Sequence, residues 1–305
     1  MKNLSLDSLL ELPLAELIAL ADRVRRDSTN SRLELCSIIN AKSGLCSEDC
    51  KFCAQSSRHK ADISIYPLVS REAIVKAAQD ARDIGAERFG IVTSGNRLTK
   101  DELDVLVDAI LEIGGKIGIS VCASLGALSK EQLTILKSAG LSRYHHNIET
   151  SRHFYSRIVS THDFQERIDT IKTAKEVGLE VCSGGIVGMG ERWQDRIDMA
   201  HILKELDVDS VPINLLVPIK GTYLESLEPI SCQAAIRTIC LFRIILGDKT
   251  IKIAAGRETI LKDFQAMGFM AGANGMLIGG YLTVKGRDVK EDHKLVEEIN
   301  QLWTQ

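Results

Sequence analysis

A closed α/β barrel of eight parallel strands is the fold this sequence predicts, and two observations carry that expectation. Short apolar, β-favouring runs recur eight times, at about 33–39, 88–93, 117–123, 143–149, 180–187, 210–217, 251–256 and 275–280. Stretches with helical periodicity, such as 71–84, 100–113, 129–139 and 163–177, lie between them and often end in Gly. Strand and helix thus alternate as in a (β/α)8 TIM-type barrel. An open doubly wound sheet would show the same alternation; the count of eight favours closure. Residues 5–27 carry apolar positions three and four apart, which predicts a helix or helix pair ahead of the barrel. Pro is scarce and no low-complexity linker divides the chain. The expected organisation is a helical extension over 1–30 and one barrel domain over 31–305.

Composition narrows the function classes. A net charge of −3 with interspersed signs forms no basic stripe, so nucleic acid is not an expected partner. The first residues are interrupted by Asp7, Glu11 and Glu16 before an apolar run can form, so neither a signal peptide nor a membrane span is expected there. Eight cysteines without an export signal point to reduced thiols, metal ligation and a cytoplasmic setting.

The most informative string is Cys46-Ser-Glu-Asp-Cys50-Lys-Phe-Cys53, just after the first strand. Its spacings let one loop present three thiolates to a cubane iron–sulfur (4Fe–4S) cluster and leave one iron without a protein ligand. Such an iron is an open position where a substrate can bind. Cys50 and Cys53 alone would also suit half a zinc site or a redox pair, but no second pair at similar spacing completes a zinc site. Cys36 lies on the first strand, Cys122 on the third and Cys182 on the fifth, while Arg257 ends the seventh. One layer of a barrel takes side chains from alternate strands, so these four could share a layer. Each cysteine alone also reads as a small core residue, and Cys232 and Cys240, in a helical stretch, are read that way.

From Lys42 to Arg58 the string resembles the radical S-adenosylmethionine enzymes, and within them the biotin-forming sulfur transferases; the likeness runs from about residue 30 to 285. It implies that S-adenosylmethionine chelates the open iron and is cleaved to a 5′-deoxyadenosyl radical. The implied reaction inserts sulfur between C6 and C9 of dethiobiotin. Asn147 would face substrate and cofactor, Glu149 would hold ribose hydroxyls, and Arg167 would pair with the methionyl carboxylate. Gly184, Ile186 and Gly188, with Glu191, would line the adenine. Asn214 would bond the ureido ring, and His145 replaces a usual Asn near the substrate.

The resemblance also implies a second, two-iron cluster held by three cysteines and an arginine, whose sulfide is consumed. Cys122, Cys182 and Arg257 match three of those ligands. The remaining one departs: Gly90 stands where the family carries cysteine, and Cys36 where serine is usual. Strands lie about 4.8 Å apart, so this move reshapes the site. The expectation is a second cluster that is rotated or larger, with room opened at Gly90; a lost second cluster is the alternative. A flavodoxin or ferredoxin-type electron donor and a homodimer are further expectations. Rival readings are another radical enzyme of this barrel type, such as a methylornithine synthase or hydrogenase maturase, and a one-cluster electron carrier.

Overall fold

The computed structural model describes residues 6–29, 32–280 and 286–304. Two helices, α1 (Leu6–Glu11) and α2 (Leu14–Ser28), precede the first strand. The barrel then alternates β1 (Glu34–Lys42), α3 (Arg71–Asp83), β2 (Arg88–Thr93), α4 (Lys100–Lys116), β3 (Ser120–Ser124) and α5 (Lys130–Ser138). It continues through β4 (Arg143–His145), α6 (Arg152–Tyr155), α7 (Phe164–Glu176), β5 (Glu180–Cys182), β6 (Gly185–Val187), α8 (Trp193–Glu205) and β7 (Ser210–Leu215). Last come α9 (Cys232–Leu246), β8 (Thr250–Ile253), α10 (Arg257–Ile260), α11 (Gln265–Met270), β9 (Gly275–Leu277) and α12 (Val289–Trp303).

Every pairing is parallel, and the order β5-β4-β3-β2-β1-β9-β8-β7-β6 closes because β5 also pairs with β7. Segments β5 and β6 are two halves of one barrel position, so the closed barrel has eight strand positions, as the sequence predicts. The run at 143–149 forms strand only to His145. Beyond it the chain leaves the regular ladder but keeps its neighbour, with the Ile148 and Glu149 amides both donating to the Gly184 carbonyl.

Alternation sorts side chains between the two sides of the wall. On β2, Phe89 and Ile91 are buried against the helical shell while Arg88 and Gly90 face inward. Helices start where sequence supplies caps: Thr99 with Glu102 opens α4 and Ser129 with Gln132 opens α5, each as a capping box. Their apolar faces, Leu103, Leu106 and Ile110 on α4 for instance, complete the core.

The first two helices pack on the barrel's outer shell. Arg237 of α9 donates to the carbonyls of Leu10 and Leu12, at 3.1 and 3.0 Å. On α2, buried Arg25 bonds Asp22 and lies 4.0 Å over the Trp303 ring of α12. The last helix is fastened by Arg257, which bonds Asp292 at 2.7 Å; both side chains are 1% exposed. Removing one partner of a buried ion pair leaves the other charge uncompensated, so Arg257→Met should cost roughly 3–5 kcal/mol. Chemical denaturation measures this; an unchanged midpoint would contradict it.

Candidate active site

The upper mouth of the barrel, at the carboxyl ends of the strands, carries the cysteine loop. The loop is braced by backbone: the Cys46 amide donates to the Gln55 carbonyl at 3.0 Å, Ser57 donates back to Cys46 at 2.8 Å, and Cys53 donates to Cys50 at 2.9 Å. The side chain of Gln55 accepts from Ser43 and the Gly44 amide beneath it. Two acidic residues inside the motif anchor the loop to the segment after β4: Glu48 pairs with His162 at 2.9 Å and Asp49 accepts from the Ser160 amide at 2.9 Å.

All three loop thiols are free. Burial pushes the Cys50 thiol far up and the Cys53 thiol up to about 11, and the neighbouring cysteines raise both further. Crowded, buried thiols of this kind deprotonate when a metal takes up their charge, so the donor set fits an iron–sulfur cluster. Among the described residues no three His, Cys, Asp or Glu side chains gather around a single-ion position; a cluster takes one thiolate per iron and needs them spread.

Arg167 joins this loop to Asn147 and Glu149 beyond β4. Its guanidinium is buried against four neighbours. It donates to the Tyr155 hydroxyl at 2.6 Å and the Asn147 carbonyl at 2.9 Å, meets His162 Nε2 at 2.9 Å, and lies 3.8 Å from Glu149. Glu149 sits at φ +67°, a left-handed conformation strained for a residue with a side chain. Burial pushes its carboxyl up, against the pull of Arg167. Asn147 accepts from the Gly184 amide at 3.0 Å.

Two consecutive glycines set the backbone here. A Cβ on Gly184 would stand 2.0 Å from the Pro212 carbonyl oxygen, and one on Gly185 would stand 2.3 Å from the Glu149 carbonyl oxygen. Glycine is required because the split fifth strand runs against its neighbours. Beyond it the Gly188 amide donates to Glu191 at 2.9 Å, and Glu191 pairs with Arg196 at 2.7 Å, so Glu191 shapes the turn beside half-buried Ile186. Asn214 bridges backbone on two sides, donating to the Gly185 carbonyl and accepting from the Ala255 amide, both at 3.2 Å.

The lower half of the barrel holds the other cysteines. Cys36 and Cys182 are buried and Cys122 is half-buried. Register places Gly90 beside Cys122 and His145 beside Cys182. Burial pushes Cys36 up to about 12 despite an adjacent ammonium. At Cys182 burial acts the same way, but His145, Lys252 and Arg143 together outweigh it and bring the thiol down to about 6.

Two expectations are corrected here. Arg257 does not end the strand but begins α10 after it, where its guanidinium bonds Asp292, Gln265 and the Leu277 carbonyl. The cation at the cysteines is Lys252 of β8, whose Nζ lies 3.0 Å from Cys36 Sγ and 2.6 Å from Glu34. Gly275 admits it, since a Cβ there would come within 2.8 Å of Lys252 Cγ. Nor does Gly90 open space, because the Ile38 side chain fills it, 3.0 Å from where a Cβ would be.

Beneath the cysteines lies an ionic layer that sequence reasoning missed. Glu34 meets Arg88 and Arg143 at 2.9 Å each as well as Lys252, and Arg88 and Arg143 also reach Glu180, at 3.0 and 2.8 Å. The signal was present as Glu34, Arg88, Arg143 and Glu180, a charged residue at the first position of four strands. Burial pushes the Glu34 carboxyl up, but its three cations outweigh it and hold it well below the carboxylate range.

The comparisons agree with this geometry. Residues 42–215 match the Radical SAM superfamily and residues 212–301 the Biotin and Thiamin Synthesis associated domain. The chain is 55% identical over 274 residues to a biotin synthase of Thermotoga neapolitana, covering 90% of this chain and 98% of that one. It is 51% identical over 300 residues to a biotin synthase of Thermotoga petrophila, covering 98% and 99%. The chain belongs to the biotin synthase family. Among solved structures, methylornithine synthase superposes with a TM-score of 0.83 at 20% identity, over 97% of this chain and 91% of that one. An FeFe-hydrogenase maturase from Carboxydothermus hydrogenoformans gives 0.82 at 18%, over 97% and 75%. At such identities these two show the barrel alone.

Two outcomes follow for the folded chain. Gly184→Ala forces backbone apart and should cost at least about 1–3 kcal/mol in thermal unfolding while weakening S-adenosylmethionine binding; a variant equal to wild type in both would contradict the close approach. The ion pairs of Glu34 contribute stability that is full above the unfolded carboxyl value of about 4.3 and is lost as pH falls below it. Glu34→Gln should therefore flatten the acid limb of the stability–pH curve, and an unchanged slope would count against the layer.

Proposed function

We infer that the chain converts dethiobiotin to biotin by inserting sulfur between C6 and C9. The observation that carries this reading is the braced Cys46–Cys50–Cys53 loop joined through Arg167 to Asn147 and Glu149, in a chain of the biotin synthase family. The three loop cysteines would hold a 4Fe–4S cluster. With S-adenosylmethionine bound, that cluster supplies the 5′-deoxyadenosyl radical that removes hydrogen from unactivated carbon.

Residue roles are ours to propose. Arg167 would receive the methionyl carboxylate, since a planar fork suits a carboxylate. Glu149 would take ribose hydroxyls, while the backbone about Gly184, Ile186 and Gly188 would line adenine. Asn147 and Asn214 would meet the ureido ring, with His145 at the substrate's lower edge. Cys36, Cys122, Cys182 and Arg257 would hold the auxiliary cluster, its nuclearity two-iron or larger, with Lys252 beside Cys36. A flavodoxin or ferredoxin-type donor, a homodimer, a cytoplasmic setting, and an organisation of helical extension plus one barrel domain complete the proposal. No helix among the described residues is long and apolar enough to cross a membrane.

Replacing Cys46, Cys50 or Cys53 with Ala should abolish dithionite-driven formation of 5′-deoxyadenosine. In the wild type, dethiobiotin should raise that formation and yield biotin. Another metabolite triggering cleavage while dethiobiotin does nothing would overturn the substrate. Cys36→Ser should strip the auxiliary iron and sulfide and stop sulfur insertion, yet leave radical formation intact. Full iron content and normal biotin yield would show that the second site is not built on Cys36.

A further inference from the structure

A cavity of about 480 Å³ opens at the lower end of the barrel, on the face opposite the cysteine loop. Its walls are the first residues of strands, among them Glu34, Arg88, Ser120 and Thr250, with Thr29 and Arg32 at the rim. Glu34 and Arg88 belong to the ionic layer beneath the cysteines. From the cavity wall to a thiol is therefore one side chain: Cys36 Sγ lies 3.7 Å from Glu34 Oε1, and Lys252 touches both. The layer sets three cations, Arg88, Arg143 and Lys252, against two carboxylates, Glu34 and Glu180. Its excess charge is positive where it faces the cysteines. Its outer member is open to water, with the Glu180 side chain 45% exposed.

We propose that this lower mouth is the entry for inorganic sulfide (HS⁻) to the Cys36–Cys122–Cys182 site, with the ion pairs of Glu34 and Glu180 as its gate. The inference rests on the auxiliary-cluster reading above. A site that gives up a sulfide to each product must receive another, and the upper mouth is where the cofactor and substrate enter. A small anion needs no wide channel. It needs a polar cavity on one side, cations to replace its hydration on the other, and pairs between them that can exchange partners. The lower mouth supplies all three. Uptake would be ligand substitution at iron: HS⁻ would displace water from the position left by the departed sulfide, and its proton would pass to solvent through the wet layer. Iron would keep its oxidation state in this step, the two electrons left by product formation passing to an oxidised flavodoxin- or ferredoxin-type protein.

The test separates supply from chemistry in the reconstituted full-length enzyme. After one turnover without added sulfide, ferrous iron and labelled sulfide are supplied anaerobically, and the return of cluster sulfide is timed. In the wild type, saturating S-adenosylmethionine and dethiobiotin with no electron donor should leave that rate unchanged, because they close only the upper mouth. Ser120→Phe and Thr250→Phe, which narrow the cavity without touching a cysteine, should give the first equivalent of biotin at the wild-type rate. They should slow sulfide return by roughly tenfold, a barrier change of about 1.4 kcal/mol. Strong slowing by the upper-mouth ligands, or unchanged return in both variants, overturns the route alone. Iron and sulfide for one cubane only in the fresh wild type overturns the cluster reading and the route with it.

Discussion

Everything in the lower barrel depends on one carboxylate. Arg88, Arg143 and Lys252 all point into the same low-dielectric interior, and three buried cations repel one another at great cost unless an anion sits among them. Glu34 at the foot of β1 meets all three. With it in place, Lys252 can lie against Cys36 and Arg143 can extend toward Cys122 and Cys182. The positive field of that layer opposes the effect of burial at the thiols above it, but burial still prevails at Cys36 and Cys122. Cys182 answers most, because His145 adds a direct partner.

The upper barrel solves a different problem with backbone. The fifth strand position breaks in two and so exposes main-chain edges at the upper mouth, the edges proposed above for S-adenosylmethionine. Gly184 and Gly185 let the break run against Pro212 and Glu149, and the left-handed turn at Glu149 brings its carboxyl round toward Arg167. Arg167 then joins three parts of the chain at once: the cysteine loop through His162 and Glu48, the segment after the fourth strand through Asn147, and helix α6 through Tyr155. Its many donors explain why a lysine would not replace it.

Much of this was legible in the chain because it is local. The strand count came from period and spacing, and the cysteine loop from a contiguous string whose ligands share one turn of backbone. The residues proposed for the cofactor came from family likeness, and geometry gathers Asn147, Glu149 and Arg167 in one place. What could not be read was lateral register. Lys252 reaches Cys36 from β8, and the end of that strand at Ile253 puts Arg257 at the start of α10, a boundary no local pattern marks. Glu34 meets Lys252 across more than two hundred residues, and no local pattern announces that. The space expected at Gly90 was likewise a statement about one strand, whereas its occupant, Ile38, belongs to the next.

That interlock between Ile38 and Gly90 has a historical consequence. A cysteine at position 90 would bring a Cβ to 3.0 Å from Ile38 Cγ2, with the sulfur still to be housed. A thiol at position 90 therefore requires Ile38 to give way. The isoleucine must shrink or turn first, and until it does a new thiol there is a burden on packing, not a ligand. If Cys36, Cys122 and Cys182 hold the second cluster as proposed, packing on this wall sets which strand can lend the thiol before chemistry has any say.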